Sequence, residues 1–146
     1  MGKAVRAVII QDGKTLIMYR NKHGSEYCTL VGGRVGDNET AEQALIREVK
    51  EETGLDITKA RLVFIEEHPA PYNEQYIFLC EASSYESVAV QPYSEEGFMN
   101  RISINTHKPG WVDIGAFPRI HFRTPQLQNA LIDAFKKGFP DKPIKL

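Results

Sequence analysis

The sequence predicts an α/β fold, a mixed β-sheet lying between helices. Strand-like runs are spread along the whole chain. Two segments, Ala41 to Thr53 and Leu127 to Phe135, carry helical periodicity between recognisable start and stop residues. With 146 residues, 42% hydrophobic and 25% charged, the chain has enough material for one domain with a sizeable core. Strands accompanied by two main helices bury their apolar faces best as layers.

Ala4 to Ile10 reads as a first strand and Leu16 to Tyr19 as a second. Asp12-Gly13 between them is a hairpin signal, because the favoured two-residue turn needs positive φ at its central residues. Thr29 to Val35 is a short extended stretch that runs into a glycine loop formed by Gly32, Gly33 and Gly36, where main chain can approach a ligand closely. The first helix follows, from Ala41 to Thr53. Thr40 is placed to cap it and Gln43 to complete a capping box. Gly54 suits the left-handed position just past its end. Arg61 to Glu67 and Gln75 to Ala82 read as two further strands joined by the loop Pro69-Ala70-Pro71-Tyr72. Ser83 to Lys108 is polar and irregular and is expected to be largely loop. Gly110 to Ile114 carries Trp111 into a last strand. Thr124-Pro125 starts the second helix, whose Leu127, Ala130, Leu131, Ala134 and Phe135 form one apolar face before Gly138 ends it. No repeat or low-complexity segment interrupts this order.

Several function classes find no support. A formal charge of −1 gives no electrostatic case for a nucleic-acid polymer or a membrane surface. Cys28 and Cys80 are too few and too isolated for a disulfide framework or a zinc site. His23, His68, His107 and His121 show no ligand spacing. Val8-Ile9-Ile10 is interrupted by Gln11-Asp12-Gly13, so no signal peptide is expected. No apolar run reaches the length of a membrane span, and Arg6 spoils a myristoylation pattern begun by Gly2. A soluble, reducing, cytoplasmic setting is the expectation. A homodimer is compatible with the sequence, which does not fix the oligomeric state.

The chemistry concentrates between Gly33 and Leu55. At roughly 100° per residue, Glu48, Glu51 and Glu52 share one edge of the first helix. Ala41, Ala44, Leu45 and Val49 form its apolar face, and Glu52 falls near that stripe. A poorly solvated carboxylate needs a partner, and three together raise one another's pKa. A hard divalent cation, Mg²⁺ or Mn²⁺, relieves both problems with oxygen ligands. The plainer alternative is a solvated acidic face with Arg47 and Glu51 as an i,i+4 pair. The glycine loop, the spacing and the intruding Glu52 weigh against it.

This segment resembles the Nudix box, Gly-x5-Glu-x7-Arg-Glu-(apolar)-x-Glu-Glu-x-Gly-(apolar). Gly33, Glu39, Arg47, Glu48, Val49, Glu51, Glu52, Gly54 and Leu55 meet every defined position over 23 residues. The resemblance implies an α/β/α sandwich, a single Nudix hydrolase domain over residues 1–146, and hydrolysis of a nucleoside diphosphate linked to a group X. Glu48, Glu51 and Glu52 are then the metal ligands, Glu48 alternatively the acceptor of the water's proton. In some members a later loop glutamate serves this purpose, a role open here to Glu95 or Glu96, with two solvated loop acids as the alternative. Arg47 orients the carboxylates and Glu39 ties loop to helix.

Outside the box, Leu16-Ile17-Met18-Tyr19-Arg20 is similar to the family's second strand, which makes Arg20 a candidate phosphate contact. Gly32 and Gly33 belong to the substrate side of the loop. Tyr72, 17 residues after Leu55, has a spacing that resembles dinucleoside polyphosphate hydrolases, with simple loop packing as its alternative. Pro69 and Pro71 bracket but miss a proline position of ADP-ribose pyrophosphatases. Trp111-Val112-Asp113 resembles the family's late strand. Cys28 and Val31 stand where many members have Trp and Pro, which is a departure in the region of base recognition. The expected substrate is a small nucleotide. A nucleoside triphosphate, as in MutT-like members, comes first. ADP-ribose or another nucleotide sugar, a dinucleoside polyphosphate, and a non-catalytic nucleotide-sensing module are the alternatives.

Overall fold

A computed structural model of the chain describes residues 2–67, 72–84, 88–89 and 105–146, excluding the side chains at 72 and 73. Its strands are β1 (Gly2–Gln11), β2 (Lys14–Lys22), β3 (Ser25–Thr29), β4 (Val31–Arg34), β5 (Ile57–Glu67), β6 (Tyr72–Ala82), β7 (Asn105–Asp113) and β8 (Ile144–Lys145). Helix α1 spans Ala41–Thr53 and α2 spans Pro125–Lys137, with a 3-10 segment at Ile114–Arg119.

β1 is the hub. Along one edge it runs parallel to β6, from Lys3 opposite Glu74 to Ile9 opposite Cys80. Its other edge is shared in succession: Ala4 to Ala7 pair with β4, then Ile10 and Gln11 pair with β2. The strand order is β3-β2-β1-β6-β5-β8, with β4 on β1 and β7 on β2. Parallel and antiparallel pairings therefore coexist, as a mixed sheet requires. Residues Val5, Ala7 and Ile9 point to the face where α1 buries Ala44, Leu45 and Val49. Val8 points to the opposite face, where Leu127, Leu131 and Ala134 of α2 pack. The period-2 alternation of one strand thus feeds two cores.

Local chemistry explains the boundaries. Asp12 and Gly13 have φ of 52° and 73°, the conformation of a tight hairpin. His23 and Gly24 repeat it with φ of 52° and 88°, and so create β3, a strand the sequence reading did not separate. The Thr40–Gln43 capping box is made in both directions, at 3.1 and 2.9 Å. Gly54 takes φ of 81° and returns its N–H to Lys50 O at 2.8 Å. Pro125 sits in the first turn of α2, and the Thr124 hydroxyl accepts from Leu127 N.

Several strand boundaries differ from expectation. β5 begins at Ile57, where Ala82 of β6 is its first partner, and β6 begins at Tyr72, which pairs with Gly2 of β1. Asn105 to Lys108, expected as loop, belong to β7, where β2 pairs with every residue from Lys22–Asn105 to Lys14–Asp113. Pro109 is tolerated there because, among the described residues, β2 is the single neighbour of β7, so one edge needs no N–H donor. Ile114 leaves the strand for the 3-10 segment. The remainder of the expected 83–108 loop lies largely outside the described residues.

The opposite-face core gives a stability test. Leu131 is fully buried among Leu127, Phe117 and Ile77 of that core. Leu131→Ala is expected to lower the unfolding free energy by about 3 kcal/mol in urea titration. A loss below about 1 kcal/mol would mean that α2 does not close this core.

Candidate active site

The site forms where α1 lies across β4. Gly32 takes φ of 145°, and a Cβ there would fall 1.9 Å from Val5 O of the paired strand. A Cβ on Gly33 would fall 2.5 Å from the Glu48 carboxyl carbon. Gly32 is thus required by close approach of main chain, and Gly33 leaves the room that the Glu48 carboxylate occupies. In this structure the space beside Gly33 is filled by the protein's own carboxylate. The neighbouring Gly32 N–H donates to Glu52 Oε1 at 2.5 Å. Glu48 is 7% exposed and Glu52 3%, so two of the three predicted acids are buried, side by side at i and i+4 on the helix.

Arg47 organises the acids. Its Nε and Nη2 donate to the two oxygens of Glu39 at 2.8 and 3.0 Å. Nη1 donates to Glu48 Oε1 at 2.9 Å and reaches Glu51 Oε2 at 3.5 Å. Nη2 also holds the Arg34 carbonyl at 3.0 Å. Glu39 in turn accepts from Gly36 N at 2.8 Å, so the glycine loop is tied to α1 through one ion pair. The Arg47 hydrogen bonds, reinforced by the Gly36 N–H, lower the Glu39 carboxyl to about 2, and they push the Arg47 guanidinium above its ordinary value.

Glu39, Glu48, Glu51, Glu52 and Arg47 together carry a formal charge of −3. Among the described residues no three acidic, histidine or cysteine side chains converge into a ready-made ligand cluster. Here Glu52 is turned to Gly32 and Glu51 to Arg47. The donor set nevertheless fits a hard divalent cation: it consists of carboxylate oxygens, and two of the acids, Glu48 and Glu52, are buried beside the glycine strand.

Other predicted positions lie apart. Arg20 on β2 stands opposite His107 of β7, donates to Asn105 Oδ1 at 2.6 Å and lies 5.6 Å from the Tyr27 ring centroid. Arg123 covers the same ring at 3.8 Å. A cavity of about 400 Å³ opens beside them, lined by Tyr19, Arg20, Tyr27, Cys28, Lys108 and His121 among others. Burial, with Arg20 and Arg6 nearby, pushes the His107 imidazole down to about 4, so it is neutral at physiological pH. Cys28 is buried and bonded through its main chain to His121 and Arg123. Tyr72 opens β6 opposite Gly2, while its side chain, Glu95 and Glu96 lie outside the described residues.

Sequence reasoning missed a second polar group. Glu66 is 1% exposed on β5 and accepts from Gln75 Nε2 at 3.0 Å and from the Thr124 hydroxyl. The available signal was an acid at the end of the apolar run Val63-Phe64-Ile65.

The Glu39–Arg47 pair yields a pH test. A carboxyl lowered by folding stabilises the fold above its ordinary pKa and loses that contribution as pH falls toward the folded value. Wild type is expected to unfold at higher denaturant than Glu39→Gln near neutral pH. The gap should close between pH 4.5 and about 2. A gap that stays constant over that window would show that the pair does not tie the loop.

With this geometry in view, comparisons with known proteins agree on its kind. A family model of the NUDIX domain matches residues 1–123. An 8-oxo-dGTP diphosphatase of Proteus vulgaris is 43% identical over 49 residues, 34% of this chain and 44% of that protein. An NAD-capped RNA hydrolase NudC of Chromobacterium violaceum is 27% identical over 112 residues, 76% of this chain and 38% of that protein. The chain thus spans less than half the length of these curated relatives. A NUDIX hydrolase structure from Nitrosomonas europaea superposes with a TM-score of 0.69 at 20% identity, covering 94% of this chain and 90% of that one, which shows the shared fold. The box helix, its glycine strand and the family match place this chain in the Nudix family.

Proposed function

We propose that this protein is a divalent-metal-dependent pyrophosphohydrolase, acting through one Nudix domain over residues 1–146 on a nucleoside diphosphate linked to X. The observation that carries the reading is the burial of Glu48 and Glu52 against the Gly32–Gly33 strand, with one arginine shared among the acids. Divalent cations are general to the family. Glu48, Glu52 and the more exposed Glu51 would hold Mg²⁺ or Mn²⁺. A cation there supplies positive charge against the phosphates and makes water more acidic.

The chain's own groups do the rest. Arg47, anchored on Glu39, fixes the rotamer of Glu48 and keeps its oxygens toward the strand. Glu48 is also the candidate to take the proton from the attacking water. Gly32 and Gly33 are candidates for the substrate side of the strand, although Glu48 and Glu52 lie against them here, and Arg20 is the candidate second phosphate contact. Tyr72 is a candidate for stacking on the base.

A nucleoside triphosphate is the first-choice substrate, cleaved to a monophosphate and pyrophosphate. The name of the Proteus relative supports it. A dinucleotide-type pyrophosphate, such as a nucleotide sugar or dinucleoside polyphosphate, is the second reading. The longer match to a NudC protein favours that reading, and it makes a capped RNA end a substrate to include. A sensing module without turnover is less well supported, since every box acid is retained. No helix among the described residues is long and apolar enough to cross a membrane. A cytoplasmic setting with a small-molecule nucleotide partner accords with this reading.

A turnover screen of these classes with Mg²⁺ and with Mn²⁺ tests the proposal, and full activity after exhaustive chelation would overturn it. Glu52→Gln is expected to lower kcat by about two orders of magnitude or more, about 3 kcal/mol in the barrier, while the protein stays folded. The exposed Glu42→Gln is the matched control. Comparable activity in both variants would remove Glu52 from the site. Hydrolysis in ¹⁸O-labelled water is expected to place label on a phosphate of one product. Label on sugar carbon would reject attack at phosphorus, and release of orthophosphate with a diphosphate would reject the triphosphate reading.

A further inference from the structure

Glu66 lies in the core formed with α2, on the sheet face opposite α1. It follows Phe64 of that core by two residues on β5 and bonds to Thr124, the cap of α2. A carboxylate in that place is costly unless its oxygens are satisfied. Both are: one accepts from Gln75 Nε2 at 3.0 Å, the other from the Thr124 hydroxyl. A primary amide has one donor end and one acceptor end. With its NH₂ committed to Glu66, the Gln75 oxygen must face the other way, and there it accepts from Arg6 Nε at 2.9 Å. Arg6 Nη1 then donates to the Leu30 carbonyl at 3.1 Å.

Leu30 is the residue immediately before β4. Two residues on, the Gly32 N–H holds Glu52, and Gly33 leaves room for the Glu48 carboxylate by the absence of a single Cβ. A chain of hydrogen bonds with a fixed donor-to-acceptor order therefore runs from Thr124, the cap of α2, across β5, β6 and β1 to the glycine strand. An apolar group of the same volume would fill this space without the desolvation cost. The polar chain does something an apolar filling cannot: it fixes the main chain at Leu30 by direction as well as by contact.

We propose that Glu66 is a positioning residue for the Gly32–Gly33 strand, acting through Gln75 and Arg6. The catalytic part of this inference rests on the pyrophosphohydrolase reading above, and the hydrogen-bond chain does not. Glu66→Leu, an apolar group of similar volume, removes the acceptor of the Gln75 NH₂, so nothing holds the Gln75 amide in the orientation whose oxygen serves Arg6. Glu66→Gln is the conservative variant that keeps the order: its amide oxygen accepts from the Gln75 NH₂ while its own NH₂ donates to the Thr124 hydroxyl oxygen. Arg6→Met keeps the length of the side chain and removes the donors to both Gln75 and Leu30.

Amide hydrogen exchange in metal-free protein tests the chain directly. In Glu66→Leu and in Arg6→Met the Gly32 amide is expected to exchange about tenfold faster, while Leu45 inside α1 keeps its wild-type rate. Glu66→Gln is expected to keep Gly32 within about twofold of wild type. On the nucleotide that wild type turns over, Glu66→Leu and Arg6→Met should lose about tenfold in kcat/KM, mainly in kcat, and Glu66→Gln should retain it. The inference is overturned if Glu66→Leu and Arg6→Met both exchange Gly32 at the wild-type rate, or if Glu66→Gln exchanges it as fast as Glu66→Leu. An absence of turnover by wild type on every nucleotide tested would overturn the functional reading instead, and the exchange measurement would still decide this one.

Discussion

The close approach of α1 to β4 is the constraint on which the rest depends. Two carboxylates lie against the glycine strand: Gly33 leaves the room that the Glu48 carboxylate takes, while Gly32, whose Cβ would enter Val5 O, lets β4 lie close to β1 and gives its N–H to Glu52. The approach also needs a helix that cannot slide. The Thr40–Gln43 box fixes where α1 begins, the left-handed Gly54 fixes where it ends, and Ala44, Leu45 and Val49 seat it on β1. Shift any of these by one residue and the acids rotate by roughly 100° away from the strand.

That arrangement is electrostatically expensive, and the local network shows how the expense is contained. Glu39 takes the strongest share of Arg47, which holds the guanidinium in place. The same guanidinium then extends its remaining hydrogen-bonding capacity to Glu48, Glu51 and the Arg34 carbonyl. A lysine could not do this, because the planar fork reaches several acceptors at once from one position. The result is a set of carboxylates held in place on one edge of α1, the arrangement a divalent cation would require of its ligands. Stability and chemistry pull in opposite directions at such a site.

The two faces of the sheet are built differently, yet both bear on β4. On one face α1 brings charge to the glycine strand. On the other, Glu66, Gln75 and Arg6 carry a directed chain of hydrogen bonds from the cap of α2 to the Leu30 carbonyl just before that strand. β1 lies between them as a common frame, paired with β4 along one edge and β6 along the other. Rigid strands suit this task, because a site carried on them inherits their precision.

The sequence by itself determined the box and the elements whose signals are local. Capping residues, positive-φ turns and the 3.6-residue period are short-range, so both helices and the turn of the first hairpin were legible to within a residue or two. The acidic edge was legible for the same reason, since i and i+4 on a helix share a side whatever the fold. The starts of β5 and β6 and the capture of Asn105 to Lys108 into β7 were not, because a strand edge is fixed by its partner, and partners lie far away in the chain. The extended stretch from Thr29 to Val35 did not reveal the break at Leu30. Tertiary structure alone decided what fills the space beside the glycines, which acids are buried, and that Glu66 meets Gln75, Thr124 and, through Gln75, Arg6. Those contacts join residues as many as 69 positions apart, and no local pattern records a distance that only folding brings together.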